Sequence, residues 1–147
     1  MKLAAIDIGS NAARLLITEV IEIEKGEPLF NKLNFVRVPF RLGFDVFEEG
    51  IISKPKIGMV LQTMKAFKHL CNAYEIAHLK ACATSAMRDA KNSADIIRKV
   101  RMEAGIDIEI ISGSDEASFI YENHVAENRC RTRDRRLGAD RRLDPDT

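Results

Sequence analysis

The feature that most constrains this chain is a change of hydrophobic period near residue 53. Before it, apolar residues come in short β-type runs; after it they recur at helical spacing between further short runs. Residues 3–8 are an apolar run ending in Asp7-Ile8-Gly9-Ser10, the pattern of a buried strand entering a turn. Residues 15–23 are rich in β-branched and apolar side chains, and Glu24-Lys25-Gly26-Glu27 predicts a hairpin turn. Residues 29–38 complete a third strand, which Pro39 ends or places at an edge because it has no N–H for a ladder.

Ser53 followed by Pro55 predicts a helix start, since proline in the first turn removes no needed donor. Ile57, Val60, Leu61, Met64, Phe67, Leu70, Cys71 and Tyr74 then recur at three and four residues and define one apolar face. A small-residue strand over 79–83 leads into Thr84-Ser85. A second helix starts near Asn92-Ser93, carries Ile96, Ile97, Val100 and Ala104, and stops at Gly105. Residues 106–111 predict a strand, and Ser114 is the expected N-cap of a third helix with Ala117, Ile120, Tyr121, His124 and Val125 on one face. The predicted order is βββαβαβα. Strands separated by helices imply parallel crossovers added to the antiparallel opening unit. The expectation is an α/β, ribonuclease-H-like fold with a mixed five-stranded sheet. Ile6, Leu16, Val60, Met64, Val100, Ile108 and Ile120 are expected in its core.

Bulk properties exclude several classes. No apolar run approaches the ~20 residues of a membrane-spanning helix, and Asp7 interrupts the start too early for a signal peptide. A cytoplasmic location with no membrane partner is expected. Cys71, Cys82 and Cys130 have no C-x-x-C spacing, and His69, His78 and His124 pair with no carboxylate at metal-ligand spacing. Of 23 basic and 22 acidic residues, seven and four fall in 129–147, leaving 16 and 18 in residues 1–128. That slightly acidic body predicts no specific nucleic-acid partner.

Three segments carry chemistry. Asp7-Ile8-Gly9-Ser10-Asn11 follows a strand, and its glycine and small polar residues let backbone N–H groups approach a phosphate. Asp7 at the strand end suits a hydrated Mg²⁺, and Arg14 offers a guanidinium fork. An ordinary hairpin turn explains the same residues. The second segment, ATSAMRDAKN over 83–92, puts Thr84, Ser85 and Arg88 at a carboxyl edge, where open sheets bind ligands. A helix cap followed by a solvated arginine explains it equally. In the third, Ile111-Ser112-Gly113-Ser114-Asp115-Glu116-Ala117, two acids open a helix as its dipole requires. Alternatively, one of them orients or deprotonates a water.

Taken in order, these segments resemble the Ppx/GppA (exopolyphosphatase/guanosine pentaphosphatase) family. AAIDIGSNAARLLI is similar to its first phosphate motif, and Arg41-Leu42-Gly43 with Gly50 to the loop after its third strand. ATSAMRDAKN resembles its A-T-x-A-x-R-x-A-x-N segment, and ISGSDEA its I-S-G-x-E-E-A segment. The resemblance covers residues 3–128 and implies two actin-like lobes, of which this is the amino-terminal one. It implies Mg²⁺ at Asp7, and phosphate contacts from Gly9, Ser10, Asn11, Arg14, Thr84, Ser85 and Arg88, with Asn92 in support. It further implies Glu116 as general base, polyphosphate or guanosine pentaphosphate as substrate, and an intact protein compatible with a homodimer. Ala12 stands where the family often has serine, and Asp115 where glutamate is frequent.

Beyond residue 128 the resemblance stops, and the D-x-G-G-G-S motif that opens the second lobe is not found. Residues 129–147 hold seven arginines and no lysine, whereas the body uses lysine freely. The expectation is an out-of-frame or truncated segment, disordered, with an arginine arm for RNA or polyphosphate as the competing reading. Without the second lobe the chain is expected to be inactive alone. A sugar- or acetate-kinase-like lobe and a non-catalytic phosphate- or partner-binding lobe remain as alternatives.

Overall fold

The structure, a computed structural model, describes residues 1–112. Three strands open it: β1 (Lys2–Ile8), β2 (Ala12–Ile21) and β3 (Leu29–Pro39). Two helices follow, α1 (Leu42–Glu49) and α2 (Lys54–Ala73). Then come β4 (His78–Ala83), a short α3 (Ser85–Asp89), α4 (Ser93–Ala104) and β5 (Ile108–Ile110). The sheet order is β3-β2-β1-β4-β5. β1 is antiparallel to β2 and parallel to β4, β2 is antiparallel to β3, and β4 is parallel to β5. The expected mixed five-stranded α/β sheet is therefore present.

Two helices were not anticipated, so the order over the described residues is βββααβααβ. α1 lacks the core-facing period that reveals a helix: Leu42 is its one buried residue, while Phe44 and Phe47 face solvent. α3 has five residues, too few to show a period. The predicted third helix, Ile120 and the boundary at residue 128 lie outside the described residues, as does the arginine-rich segment.

The core lies on one face of the sheet. Ala4, Ile6 and Ile8 of β1, Ala13, Leu15 and Ile17 of β2, and Ala81 and Ala83 of β4 are buried there. Against them stand Val60, Met64, Phe67 and Cys71 of α2 and Ile96, Val100 and Ala104 of α4. The three- and four-residue spacing read from the sequence is this face. Leu16 is the exception among the expected core residues. It is half-buried, and its neighbours Leu15 and Ile17 are the core members. Side chains alternate along a strand, so both flanks of Leu16 point to the helices while it points away. Among the described residues no helix is long and apolar enough to cross a membrane.

Polar ties hold the helix starts. Ser53 is the N-cap of α2, but its hydroxyl makes no capping bond. Instead its N–H donates to Asp45 Oδ2 of α1 at 3.0 Å, and Lys56 Nζ donates to Asp45 Oδ1 at 2.5 Å. The lysine bond first, and the Ser53 bond second, lower the Asp45 carboxyl to about 2. Asn92, at the start of α4, donates to Ile52 O at 2.9 Å and accepts from Ile52 N–H at 3.0 Å. Ile52 and Ser53 are adjacent, so the connection between α1 and α2 is tied both to α1 and to the start of α4.

Two outcomes check this account. Leu15→Ala is expected to cost about 2–5 kcal/mol in urea unfolding, and Leu16→Ala distinctly less. Equal losses would mean that the assigned face of β2 is wrong. For Asp45, a folded pKa below the unfolded value means stabilisation present above about pH 4 and lost as pH falls toward 2. Thermal melts of wild type and Asp45→Asn should therefore differ at pH 7 and converge across that window.

Candidate functional site

Parallel pairing of β1 with β4 brings two turns to one edge of the sheet. Ile8 pairs with Ala83, and Thr84 N–H donates to Ile8 O at 3.1 Å, extending the ladder into the second turn. Loop 9–11 and the start of α3 thus emerge side by side, and Ser10 Oγ and Ser85 Oγ share a hydrogen bond of 2.5 Å. β5 adds the third segment at the same edge. Ile110 pairs with Ala83, and Ile111 N–H donates to Ala83 O at 3.0 Å, so the chain leaves toward Ser112 here.

Loop 9–11 has a definite polarity. Gly9 N–H donates to Ala12 O at 2.9 Å and closes the turn. Asn11 O accepts from Phe40 N–H at 2.9 Å and Arg41 N–H at 3.0 Å, and Ser10 O accepts from Gly43 N–H at 2.9 Å. The loop's acceptors are engaged by the β3–α1 link. Among the described residues, the N–H groups of Ser10 and Asn11 donate to no backbone carbonyl. A turn with acceptors occupied and donors open is disposed to receive an anion.

Asp7 lies on the sheet face away from the helices, opposite Arg14 on β2 and Cys82 on β4. Arg14 Nη1 is 3.8 Å from Asp7 Oδ2, and both side chains are about half exposed. Burial pushes the Cys82 thiol up, which keeps it protonated near neutrality and makes it a poor ligand or nucleophile. Among the described residues no three or more His, Cys, Asp or Glu group together as a metal cage. One carboxylate completed by water and phosphate oxygens is how Mg²⁺ is commonly bound, and Asp7 is of the kind that fits that ion.

The ATSAMRDAKN segment divides by role. Thr84 is the N-cap residue of α3 and is buried. Ser85 is half-buried and bonded to Ser10. Arg88 is exposed, yet its Nη1 donates to Ile111 O at 3.0 Å, which ties the second segment to the third. Asn92 braces Ile52, away from the loop edge. Gly9, Ser10, Asn11 and Ser85 are therefore together and Asp7 is paired with Arg14, while Asp115 and Glu116 fall outside the described residues.

Comparison with known proteins gives this edge a context. The profile of the Ppx/GppA phosphatase family matches residues 20–135. The chain belongs to the Ppx/GppA phosphatase family. It is 31% identical over 121 residues to exopolyphosphatase 1 of Mycobacterium tuberculosis, covering 82% of this chain and 34% of that protein. A bifunctional 3-dehydroquinate synthase/phosphatase of Fusobacterium nucleatum is 34% identical over 129 residues, covering 84% of this chain and 19% of that protein. The crystal structure of the Aquifex aeolicus Ppx/GppA family member superposes with a TM-score of 0.71 at 32% identity, covering 79% of this chain and 36% of that one. An exopolyphosphatase from Cytophaga hutchinsonii gives 0.71 at 30% identity, with 80% and 36% covered. The fold is thus the actin-like one of the Ppx/GppA proteins, and the chain spans about a third of the length of its exopolyphosphatase relatives.

One contributor went unassigned in the sequence. Gly43, singled out only as part of a family-like loop, meets the turn at Ser10 directly. A Cβ built on it would lie 3.0 Å from Ser10 Cβ. Gly43→Ala should therefore cost about 1–3 kcal/mol in urea unfolding. Gly58→Ala, exposed within α2 with nothing within 4 Å of an added Cβ, should gain up to about 1 kcal/mol. Equal effects at the two glycines would show that the Gly43–Ser10 approach is not tight.

Proposed function

We propose that this chain supplies the phosphate-receiving wall of a phosphoanhydride hydrolase that releases terminal phosphate from inorganic polyphosphate, with guanosine pentaphosphate as the alternative substrate. The observation that carries the reading is the Ser10–Ser85 hydroxyl bond beside the open N–H groups of loop 9–11. The exopolyphosphatase names of several relatives support the substrate class.

The terminal phosphoryl group sits in loop 9–11, bound by the Ser10 and Asn11 N–H groups and by the two serine hydroxyls. Arg14 and Arg88 present guanidinium groups to its oxygens, and Thr84 holds the second turn from beneath. Mg²⁺, when bound near Asp7, offsets phosphate charge. Glu116 is the proposed general base, accepting a proton from the attacking water as the anhydride oxygen leaves. Positioning and charge stabilisation are the main protein contributions to such a transfer.

The remaining two thirds of the relatives' length is proposed to close the site from the other side. The 147-residue chain alone is accordingly expected to show no Mg²⁺-dependent phosphate release from polyphosphate. In a protein extended to the relatives' full length, Glu116→Gln should lower kcat by about 10²–10⁴ with little change in KM. Asp115→Asn should have a far smaller effect, as a helix-dipole acid contributes about 0.3–1 kcal/mol. Comparable modest losses in both variants would remove Glu116 from the mechanism.

A further inference from the structure

The row of sheet positions that carries Asp7 and Arg14 continues to a residue without an assigned role. Asp7 stands opposite Arg14, and Arg14 stands opposite Arg37 of β3. Facing residues of an antiparallel pair share one side of the sheet, with Cβ atoms about 4.5–5.5 Å apart. The order across this face is therefore acid, guanidinium, guanidinium. The next pair along the same strands, Leu16 and Phe35, is apolar and supplies no counter-charge.

Like charges directly opposite one another destabilise a sheet. Asp7 offsets Arg14 from 3.8 Å. Arg37 has no such relief: it is exposed, and among the described residues its side chain makes no hydrogen bond or ion pair. Strands lie about 4.8 Å apart, so the row extends roughly 10 Å from Asp7, at right angles to the strands. It begins one residue below Ile8, at the loop that takes the terminal phosphoryl group. Two arginines with a single acid beside the first of them, leading away from an anion-binding turn, have the charge and spacing of a track for linked phosphates.

We propose that Arg37, together with Arg14, forms a second anion subsite that holds the phosphoryl groups behind the one seated in loop 9–11. This rests on the reading of that loop as the terminal-phosphate site. The ligand class is an extended chain of anhydride-linked phosphates, whether inorganic polyphosphate or the polyphosphate arm of a guanosine nucleotide.

Calorimetric titration of the 147-residue chain with orthophosphate, tripolyphosphate and guanosine pentaphosphate tests it. Arg37→Gln should weaken tripolyphosphate binding about three- to tenfold, the range for a charge-assisted contact at an exposed site. Orthophosphate binding should be unchanged. Arg37→Lys, which keeps the charge but loses the fork, should fall between. Without ligand at low salt, Arg37→Gln should melt above wild type because the repulsion with Arg14 is gone, and added tripolyphosphate should erase that lead. Weakened tripolyphosphate with unaffected guanosine pentaphosphate supports the subsite and assigns it to the inorganic chain; weakening of both supports it as a reader of the shared linked phosphates. Unchanged tripolyphosphate affinity in Arg37→Gln, or an equal loss for orthophosphate, overturns the proposal alone. Failure of the wild-type chain to bind any of the three overturns the loop reading and this subsite with it.

Discussion

Everything at the candidate site depends on the double pairing of β1. Its antiparallel ladder to β2 turns the chain back through Gly9, Ser10 and Asn11, and its parallel ladder to β4 delivers Thr84 and Ser85 to the same edge. Register is tightly specified because one face of β1 is core: Ala4, Ile6 and Ile8 are buried, whereas Asp7 lies on the other side. A slip of one residue would drive Asp7 among the helices and expose the isoleucines. The hydrophobic pattern of a seven-residue strand thus determines which face the acid occupies.

The β3–α1 link is held by different means. α1 buries only Leu42, so its position relies on polar ties more than on apolar burial. Arg41 adopts the left-handed region at φ 55, which costs a non-glycine residue about 1–2 kcal/mol. It is held there from both sides: its N–H donates to Asn11 O and its carbonyl accepts from Lys56 Nζ. Lys56 also bonds Asp45, which accepts from the Ser53 N–H at the α2 start, so one lysine links the β3–α1 connection to α2.

Much of this was legible in the sequence where burial and period coincide. The three opening strands, the α2 face from Ile57 to Tyr74, and Gly105 as the stop of α4 were read from periodicity and from glycine's tolerance of positive φ. The loop edge was legible too, because Gly9-Ser10-Asn11 and Thr84-Ser85 each follow an apolar run. α1 escaped because its phenylalanines face outward, contrary to the rule that locates helices. Leu16 was misplaced because three apolar residues in succession, Leu15 to Ile17, conceal the alternation. Asn92 belongs to the same motif as Arg88, but tertiary packing turns it to Ile52. No sequence period reports such a bond between residues 40 apart. The cross-strand meeting of Arg14 and Arg37 was likewise invisible until the register was known.

The irregularity in the β2–β3 ladder separates two parts of that hairpin. Pairing runs in step from Ala12↔Pro39 to Ile17↔Asn34, shifts between Ile17 and Thr18, and resumes from Thr18↔Lys32 to Ile21↔Leu29. An extra residue at such a point lets the outer segment adopt its own alignment without dragging the inner one. The tip around Gly26 is therefore mechanically insulated from the end of the ladder that carries Arg14 and Arg37. A change of length at the tip can be absorbed at the shift, leaving the inner register from Ala12 to Ile17 unchanged.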